Sequence, residues 1–501
     1  MKDSKQKKNI IISAFSYIVT TVTAILIPRL IMVNLGSEAN GLLLSINQIL
    51  AYLGLMEAGV GTVTVQALYK PVAEDDRSGI NGILAATQKY YCRTGMFYLA
   101  AVAVLSLVYP FLVKTELPRS TVIAVALLSG SAGALNYFFH GKYSLLLQAE
   151  GKQYIGTGIF MVIHVLMNLA KVTLLLCGLD VIAVQTAYLL AIALQSCAVC
   201  LYVRRHYKWL DMRCKPNEKA IEQKHSVLLH QICGLIFGNT DSVLLTVTWG
   251  LKYVSIYAVY SMIISQLGTL TGIPLSGFMY SLGQKYQTDF ERFKEEFGLF
   301  EFGIVVLTFL LGSVCAVMIV PFVKLYTAGV TDVDYQNALY PVLFLAVFLL
   351  SNIRLPAQTA ITVAGHFKNT TKQAVFETGI NILVSLALLK RFGIVGVLIG
   401  SVAALLYRTN DMIVYSAKMI HKRSIKTTYL RLLRNFALFL VFCFWGWLAP
   451  ISCSSFFAFV LWGTAVSVVA AVVFAGVNAL CERDTAASFW SSVCKRKSSF
   501  S

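Results

Sequence analysis

Residues 9–61 read NIIISAFSYIVTTVTAILIPRLIMVNLGSEANGLLLSINQILAYLGLMEAGVG. Two apolar runs meet at the short polar turn Ser37-Glu38-Ala39-Asn40, so the stretch is a hairpin of two membrane-length helices. Pro28 and Arg29 interrupt the first run before Gly36, and Glu57 interrupts the second. A charge inside a membrane span is costly and tends to face a bundle interior or a water-filled cavity. Proline there needs neighbours that satisfy the freed carbonyl. Arg29 is therefore read as facing an internal cavity. The competing reading puts it in the outer third of its helix, snorkelling to the surface.

The rest of the chain has the same character. Of 501 residues, 57% are hydrophobic and 13% charged, against about 25% charged in a soluble chain, and mean hydropathy is +0.70. This is the composition of an integral membrane protein, and runs of this length make it all-α and polytopic rather than a barrel. The first run is too long for a secretory signal, and no small-residue cleavage site follows it. Most of the 11 cysteines lie inside apolar runs. Cys197 and Cys200 share one apolar helix and read as packing residues, and only Cys177 and Cys453 fall near outer helix ends. No metal site and no cofactor are expected.

Fourteen apolar runs can be marked, from about 9–33 to about 456–480. The loops between them alternate. One set is short and holds only Lys114, Arg119, Lys252, Lys390 and Arg391 as cations. The other carries several times as many, concentrated in 204–225 and 418–434. The positive-inside rule then places both termini in the cytoplasm, and it accounts for the net charge of +18 without nucleic acid. The two long basic loops read as solvated segments that set orientation and touch anionic lipid, with protein docking as a lesser reading.

The halves resemble each other at a separation of about 214 residues. Gly36 matches Gly250, Pro110 matches Pro321, Gly151 matches Gly365, Asn168 matches Asn381 and Gly178 matches Gly393. Six spans per repeat is an even number, so both halves enter the membrane in the same sense. That is a parallel pseudo-two-fold repeat, a transporter plan with the substrate site between halves. The expected organisation is a six-helix bundle over 1–203, a basic cytoplasmic linker over 204–225 and a second six-helix bundle over 226–417. A basic cytoplasmic loop over 418–434, helices thirteen and fourteen over 435–480 and a basic cytoplasmic tail over 481–501 complete it.

Several spans carry polar residues at helical spacing. Span five has His164, Asn168 and Lys171; span eleven has Glu377, Asn381 and Ser385. Span seven holds Asn239 and Asp241, span ten Arg354, and span twelve Arg408 with Asp411. His164, Asn168, Asn239 and Asn381 are the candidate polar lining of the cavity, while the plain reading gives His164, Asn168 and Asn381 to interhelical packing and lets Arg408 and Asp411 neutralise each other. Lys171 and Arg354 are deep and have no acidic residue within a turn, so with Arg29 they point to a basic interior. On these grounds Arg29, Lys171, Arg354 and Arg408 are the candidate substrate-binding cations. Glu57, Asp241, Asp411 and Glu377 are the coupling or ion-pair candidates. By the repeat offset Asp241 lies level with Arg29, so these two are an exchangeable pair in this reading.

LGSEANGL, EAGVG and LYKPVAEDD in the first half, with GNTDSVLL, VSIYAVY, AGHFKNTTKQAVFETGINI and FGIVGVLIGS in the second, are similar to the polysaccharide-exporter branch of the multidrug/oligosaccharidyl-lipid/polysaccharide (MOP) exporters. The likeness covers spans one to twelve. It implies two six-helix bundles, a central basic cavity and alternating access. The implied cargo is an undecaprenyl-pyrophosphate-linked repeat unit of capsule or O-antigen type, moved from the inner to the outer leaflet of a bacterial cytoplasmic membrane. Its partners would be that lipid-linked glycan, membrane lipids and other polysaccharide assembly proteins. Contact residues vary in this family, so none is carried over by motif. A diphosphate is a dense anion that suits Arg and Lys.

A cation or drug exporter of the same superfamily would instead want acidic residues in the cavity. An enzyme of polysaccharide assembly would want a catalytic group on a sizeable outer loop. No outer loop exceeds a dozen or so residues, and HExxH, GxSxG and a Walker-type phosphate loop are missing from the sequence. A non-transporting assembly subunit would not need buried cations. A transporter rather than an enzyme is expected.

Overall fold

The computed structural model describes residues 2–57, 60–218, 224–366 and 368–489, so the expected linker 204–225 and tail 481–501 lie partly outside the described residues. Among these residues the chain is helical and has no strand. The helices run α1 (Lys2–Leu35), α2 (Ser37–Gly54), α3 (Val60–Ala73), α4 (Arg77–Leu112), α5 (Arg119–Leu135), α6 (Gly141–Ala149), α7 (Gln153–Leu176), α8 (Val181–His206) and α9 (Lys224–Thr248). They continue with α10 (Leu251–Thr288), α11 (Phe290–Tyr326), α12 (Leu339–Ile353), α13 (Leu355–Val363), α14 (Thr371–Phe392), α15 (Ile394–Tyr415), α16 (Lys426–Leu448) and α17 (Phe456–Cys481).

Twelve segments of the described residues are long and apolar enough to cross a membrane, so this is a multi-pass membrane protein. The two further expected spans coincide with α9 and with the second half of the first hairpin. That second half is not one helix: a 3-10 turn at Leu55–Glu57 ends α2, and α3 begins at Val60.

Local chemistry explains the helix ends. Asp76, Asp180, Asp289 and Ser455 each accept a hydrogen bond from a backbone N–H of the first turn of α4, α8, α11 and α17. Inside α1 the hydroxyls of Thr20 and Thr23 donate to the carbonyls of Ser16 and Val19, both at 2.9 Å, which satisfies them without water.

The repeat is visible in the backbone. Gly36 and Gly250 have φ of 86° and 89°, Gly151 and Gly365 both 70°, and Gly178 and Gly393 74° and 54°. A side chain is strained in that region, and at Gly250 a Cβ would also stand 2.6 Å from the Lys114 carbonyl oxygen. Pro110 and Pro321 both sit inside long helices, α4 and α11. Span four is interrupted by a π turn at Asn136–His140, and span ten breaks at Arg354, just before Pro356. His140 and Arg354 occupy matching places in the repeat.

Packing divides the chain into two units. The first is Met1–Ala258 with Gly329–Val333, and the second is Val259–Ala328 with Asp334–Ser501. In the first, Leu42, Ile46, Val122, Val184 and Leu251 share one core, so α9 and the start of α10 belong with the leading helices. In the second, Phe293, Phe297, Phe300 and Ile361 form one core, and Phe309, Phe348, Phe442 and Phe474 form another.

Helices α16 and α17 are anchored to α11 by polar contacts at one end. Asn435 and Asn478, both fully buried, exchange hydrogen bonds of 3.1 and 2.9 Å, worth about 1 kcal/mol or less each. Glu301 accepts from Arg423 at 2.6 Å and Arg431 at 2.9 Å. Glu482, just past the last span, accepts from Arg431 at 2.6 Å and Arg434 at 2.8 Å. Burial pushes the Glu482 carboxyl upward, but the hydrogen bonds and charges of Arg431 and Arg434 outweigh it and hold it below its ordinary value. A carboxyl lowered by folding stabilises the fold above its unfolded pKa and loses that contribution as the pH falls through the folded value. Glu482→Gln should therefore cost about 2–3 kcal/mol in detergent unfolding at neutral pH, at the low end for a broken buried pair because the group keeps some water. The difference from wild type should vanish in acid.

Candidate functional site

The intramembrane polar residues gather in two places, one in each unit. In the first unit they line α1, α7 and α8. Thr23 Oγ1 and His164 Nε2 are 3.0 Å apart, and Phe160 stacks on the imidazole with ring centroids 5.2 Å apart. Asn168 donates 2.7 Å to the His164 carbonyl, so it caps its own helix turn rather than a neighbour. One turn further, Lys171 places Nζ 5.1 Å from the centre of the Tyr188 ring, a cation–π contact with α8. Arg29, on α1, is partly exposed. The i, i+4, i+7 spacing of His164, Asn168 and Lys171 thus makes one face, as the sequence suggests.

Two acids belong to this unit as well. Glu57 lies in the turn between α2 and α3 and accepts a 2.5 Å hydrogen bond from the Tyr91 hydroxyl. Asp241 is 4% exposed on α9 and accepts a long 3.4 Å bond from Tyr257. Asn239 donates 3.0 Å to the Leu235 carbonyl of its own helix.

In the second unit the charged residues form a chain of ion pairs across spans ten, eleven and twelve. Arg354 donates 2.5 Å to Glu377, Glu377 also faces Arg408 Nε at 3.4 Å, and Arg408 donates 2.6 Å to Asp411. Arg354 is therefore not an unpaired cation. Its acid comes from another helix, 23 residues along the chain, which a search within one helical turn misses. Two cations and two anions make this cluster neutral, so Arg354 and Arg408 do not add net positive charge. Asp411 is its accessible end and lies on an open, shallow face of α15 and the turn that follows it, beside Tyr407, Asn410, Tyr415 and Lys418. Asn381, fully buried, donates 3.0 Å to Ser401, and Ser385 donates 3.3 Å to the Val397 carbonyl. These two hold α14 against α15.

The structure also brings in residues that the sequence reading passed over. Lys142, only 8% exposed, points over the Tyr143 ring at 5.0 Å, with Cys92, Cys200 and Arg204 around it. A lysine inside a span was signal enough to find it. Tyr91 and Tyr257 were not findable, because nothing in their own helices marks them as partners of acids elsewhere.

No model of a known protein family matches the chain, and no curated protein matches it in sequence. Solved structures do. The lipid II flippase MurJ in an inward closed conformation aligns over 95% of this chain and 99% of its own, with a TM-score of 0.70 at 11% identity. An inward-facing multidrug resistance MATE family transporter of the MOP superfamily aligns over 81% and 96%, with a TM-score of 0.63 at 15% identity. MATE in a bent conformation aligns over 82% and 93%, with a TM-score of 0.52 at 17% identity. The chain therefore has a MOP-type polytopic fold. At these identities the likeness is one of architecture, and cargo has to be argued from the chain's own residues.

Because Glu377 neutralises Arg354, removing either member leaves the four-residue cluster with an unbalanced charge. Glu377→Gln and Arg354→Gln should each cost about 3 kcal/mol, and the double variant should recover at least about 1 kcal/mol of their sum. Unfolding of the four proteins in detergent measures this, and strict additivity would mean the two side chains do not interact.

Proposed function

We propose that this protein is an alternating-access flippase that carries an undecaprenyl-pyrophosphate-linked oligosaccharide from the cytoplasmic to the outer leaflet of a bacterial cytoplasmic membrane. The observation that carries the proposal is the fold likeness to MurJ over 95% of the chain. The intramembrane cations of the first unit supply the chemistry. A diphosphate brings at least two negative charges into the membrane, and Arg29 and Lys171 are suited to meet them. The neutral cluster of Arg354, Glu377, Arg408 and Asp411 takes a different part in this reading. It accepts an anion only if Glu377 or Asp411 lets go, which makes it an exchange site.

The repeats 1–203 and 226–417 are the moving parts of the proposal, and both termini lie in the cytoplasm. Glu57 and Asp241 are the acids available for coupling to an ion gradient. Arg29 and Asp241 form the pair that breaks as the cargo enters. A charge-reversal swap that rescues neither single variant would count against that pair.

Deletion followed by lipid analysis is the direct test. Undecaprenyl-linked repeat units should accumulate on the cytoplasmic face. Normal surface polymer without accumulation would sink the proposal. Arg29→Ala and Lys171→Ala should reproduce the loss with protein levels intact, and Lys171→Arg should retain more export than Lys171→Ala.

The likeness to the MATE transporter favours a second reading, a drug or cation exporter in which Glu57 and Asp241 meet the cargo. Restored surface polymer on complementation separates the two, because a drug exporter would restore only drug resistance.

A further inference from the structure

Span four is broken beside a buried cation that the transport reading does not use. Lys142 is the second residue of α6, directly after the π turn Asn136–His140. That turn packs against α4, α5 and α8. Glycines seat it: a Cβ at Gly95 of α4 would stand 2.9 Å from the Phe138 ring, and one at Gly141 2.8 Å from the Tyr91 ring. Lys142 is 8% exposed, with Nζ 5.0 Å from the centre of the Tyr143 ring. The titratable and charged groups facing it are the thiols of Cys92 on α4 and Cys200 on α8, and the guanidinium of Arg204 on α8. None of these is a carboxylate.

The side chains around it follow one gradient along the membrane normal. By helix order α4 starts, and α6 and α8 end, on the same side, which is the cytoplasm in the orientation proposed above. Counting away from that side, Met96 stands one turn beyond Cys92, Phe139 one turn beyond Lys142 and Leu201 one turn beyond Arg204. All three are exposed and apolar. Cys200 ties α8 into this strip, its Sγ donating 3.3 Å to the Phe139 carbonyl. Cations thus lie at one level, and an apolar surface continues from them toward the membrane centre.

We propose that this strip between α4 and α8 binds an anionic phospholipid of the cytoplasmic leaflet, with Lys142 and Arg204 on its phosphate and Met96, Phe139 and Leu201 along an acyl chain. The site needs the orientation proposed above and not the cargo. Charge complementarity selects the occupant. A cation inside a span requires a partner, and the elements packed around Lys142 offer it no carboxylate. Basic pockets between membrane helices on the cytoplasmic side suit anionic headgroups. A snorkelling lysine would carry its amine out to the surface. This one is folded onto the ring of its neighbour, a contact that a phosphate can replace with a stronger, charge-assisted hydrogen bond.

Thermal unfolding of the purified full chain in detergent tests the site without transport. Phosphatidylglycerol should raise the unfolding temperature of wild type more than phosphatidylcholine does. Lys142→Gln should be at least as stable as wild type without lipid, because it removes a buried charge that has no counter-ion. Its apparent affinity for phosphatidylglycerol should nevertheless fall by at least about fivefold, and Lys142→Arg should keep the response. Arg204→Gln, at an exposed position, should lose about as much with its lipid-free stability unchanged. An undiminished phosphatidylglycerol response in both glutamine variants overturns the site, as does an equal response of wild type to phosphatidylcholine. A Lys142→Gln chain that is already unstable without lipid, beside a normal response in Arg204→Gln, would make the lysine structural. Inorganic phosphate that alone produces the whole shift would make this an ion site and overturn the lipid. Failure of the flippase reading leaves every one of these outcomes as it is, since none involves cargo.

Discussion

A guanidinium or carboxylate in the middle of a bilayer has no water to fall back on, so the protein itself must supply its partner. Glu377 shows what that demands. It holds Arg354 from span ten and faces Arg408 from span twelve, and Asp411 completes the chain. Three spans are tied together by one anion and its neighbours. The same solution recurs where α16 and α17 meet α11, with Glu301 and Glu482 between Arg423, Arg431 and Arg434.

The exceptions to this pairing carry the functional interest. Lys171 and Lys142 rest against tyrosine rings rather than carboxylates, and Glu57 rests against a phenol. Cation–π contacts hold a charge loosely enough for an arriving anion to compete. All three lie in the first unit, so the two units differ in charge economy despite their common repeat. In the second, Arg354 and Arg408 are paired with Glu377 and Asp411, and the first holds Lys171, Lys142 and Glu57 against aromatic side chains.

The repeat was legible because glycine and proline report on backbone geometry directly. The matched pairs Gly36 and Gly250, Gly151 and Gly365, and Gly178 and Gly393 adopt the left-handed conformation that few other residues accept. Fold class followed in the same way, from apolar runs that only helices can use in lipid. The break in span two was less legible. The run from 41 to 69 is apolar enough to read as one helix, and only Glu57 hints that it is two.

By itself, then, the sequence determined the all-helical membrane class, the repeat and its offset, and which residues are too polar for lipid, because these depend on chain-local properties. Tertiary structure decided who pairs with whom. Arg354 looked unpaired because its acid lies 23 residues away on another helix, and the Arg408–Asp411 contact was foreseeable because its partners are three apart on one face. Contacts within a turn follow from helical geometry. Contacts between helices follow from packing, and packing is where Glu377 was assigned to arginines and Glu57 to a tyrosine.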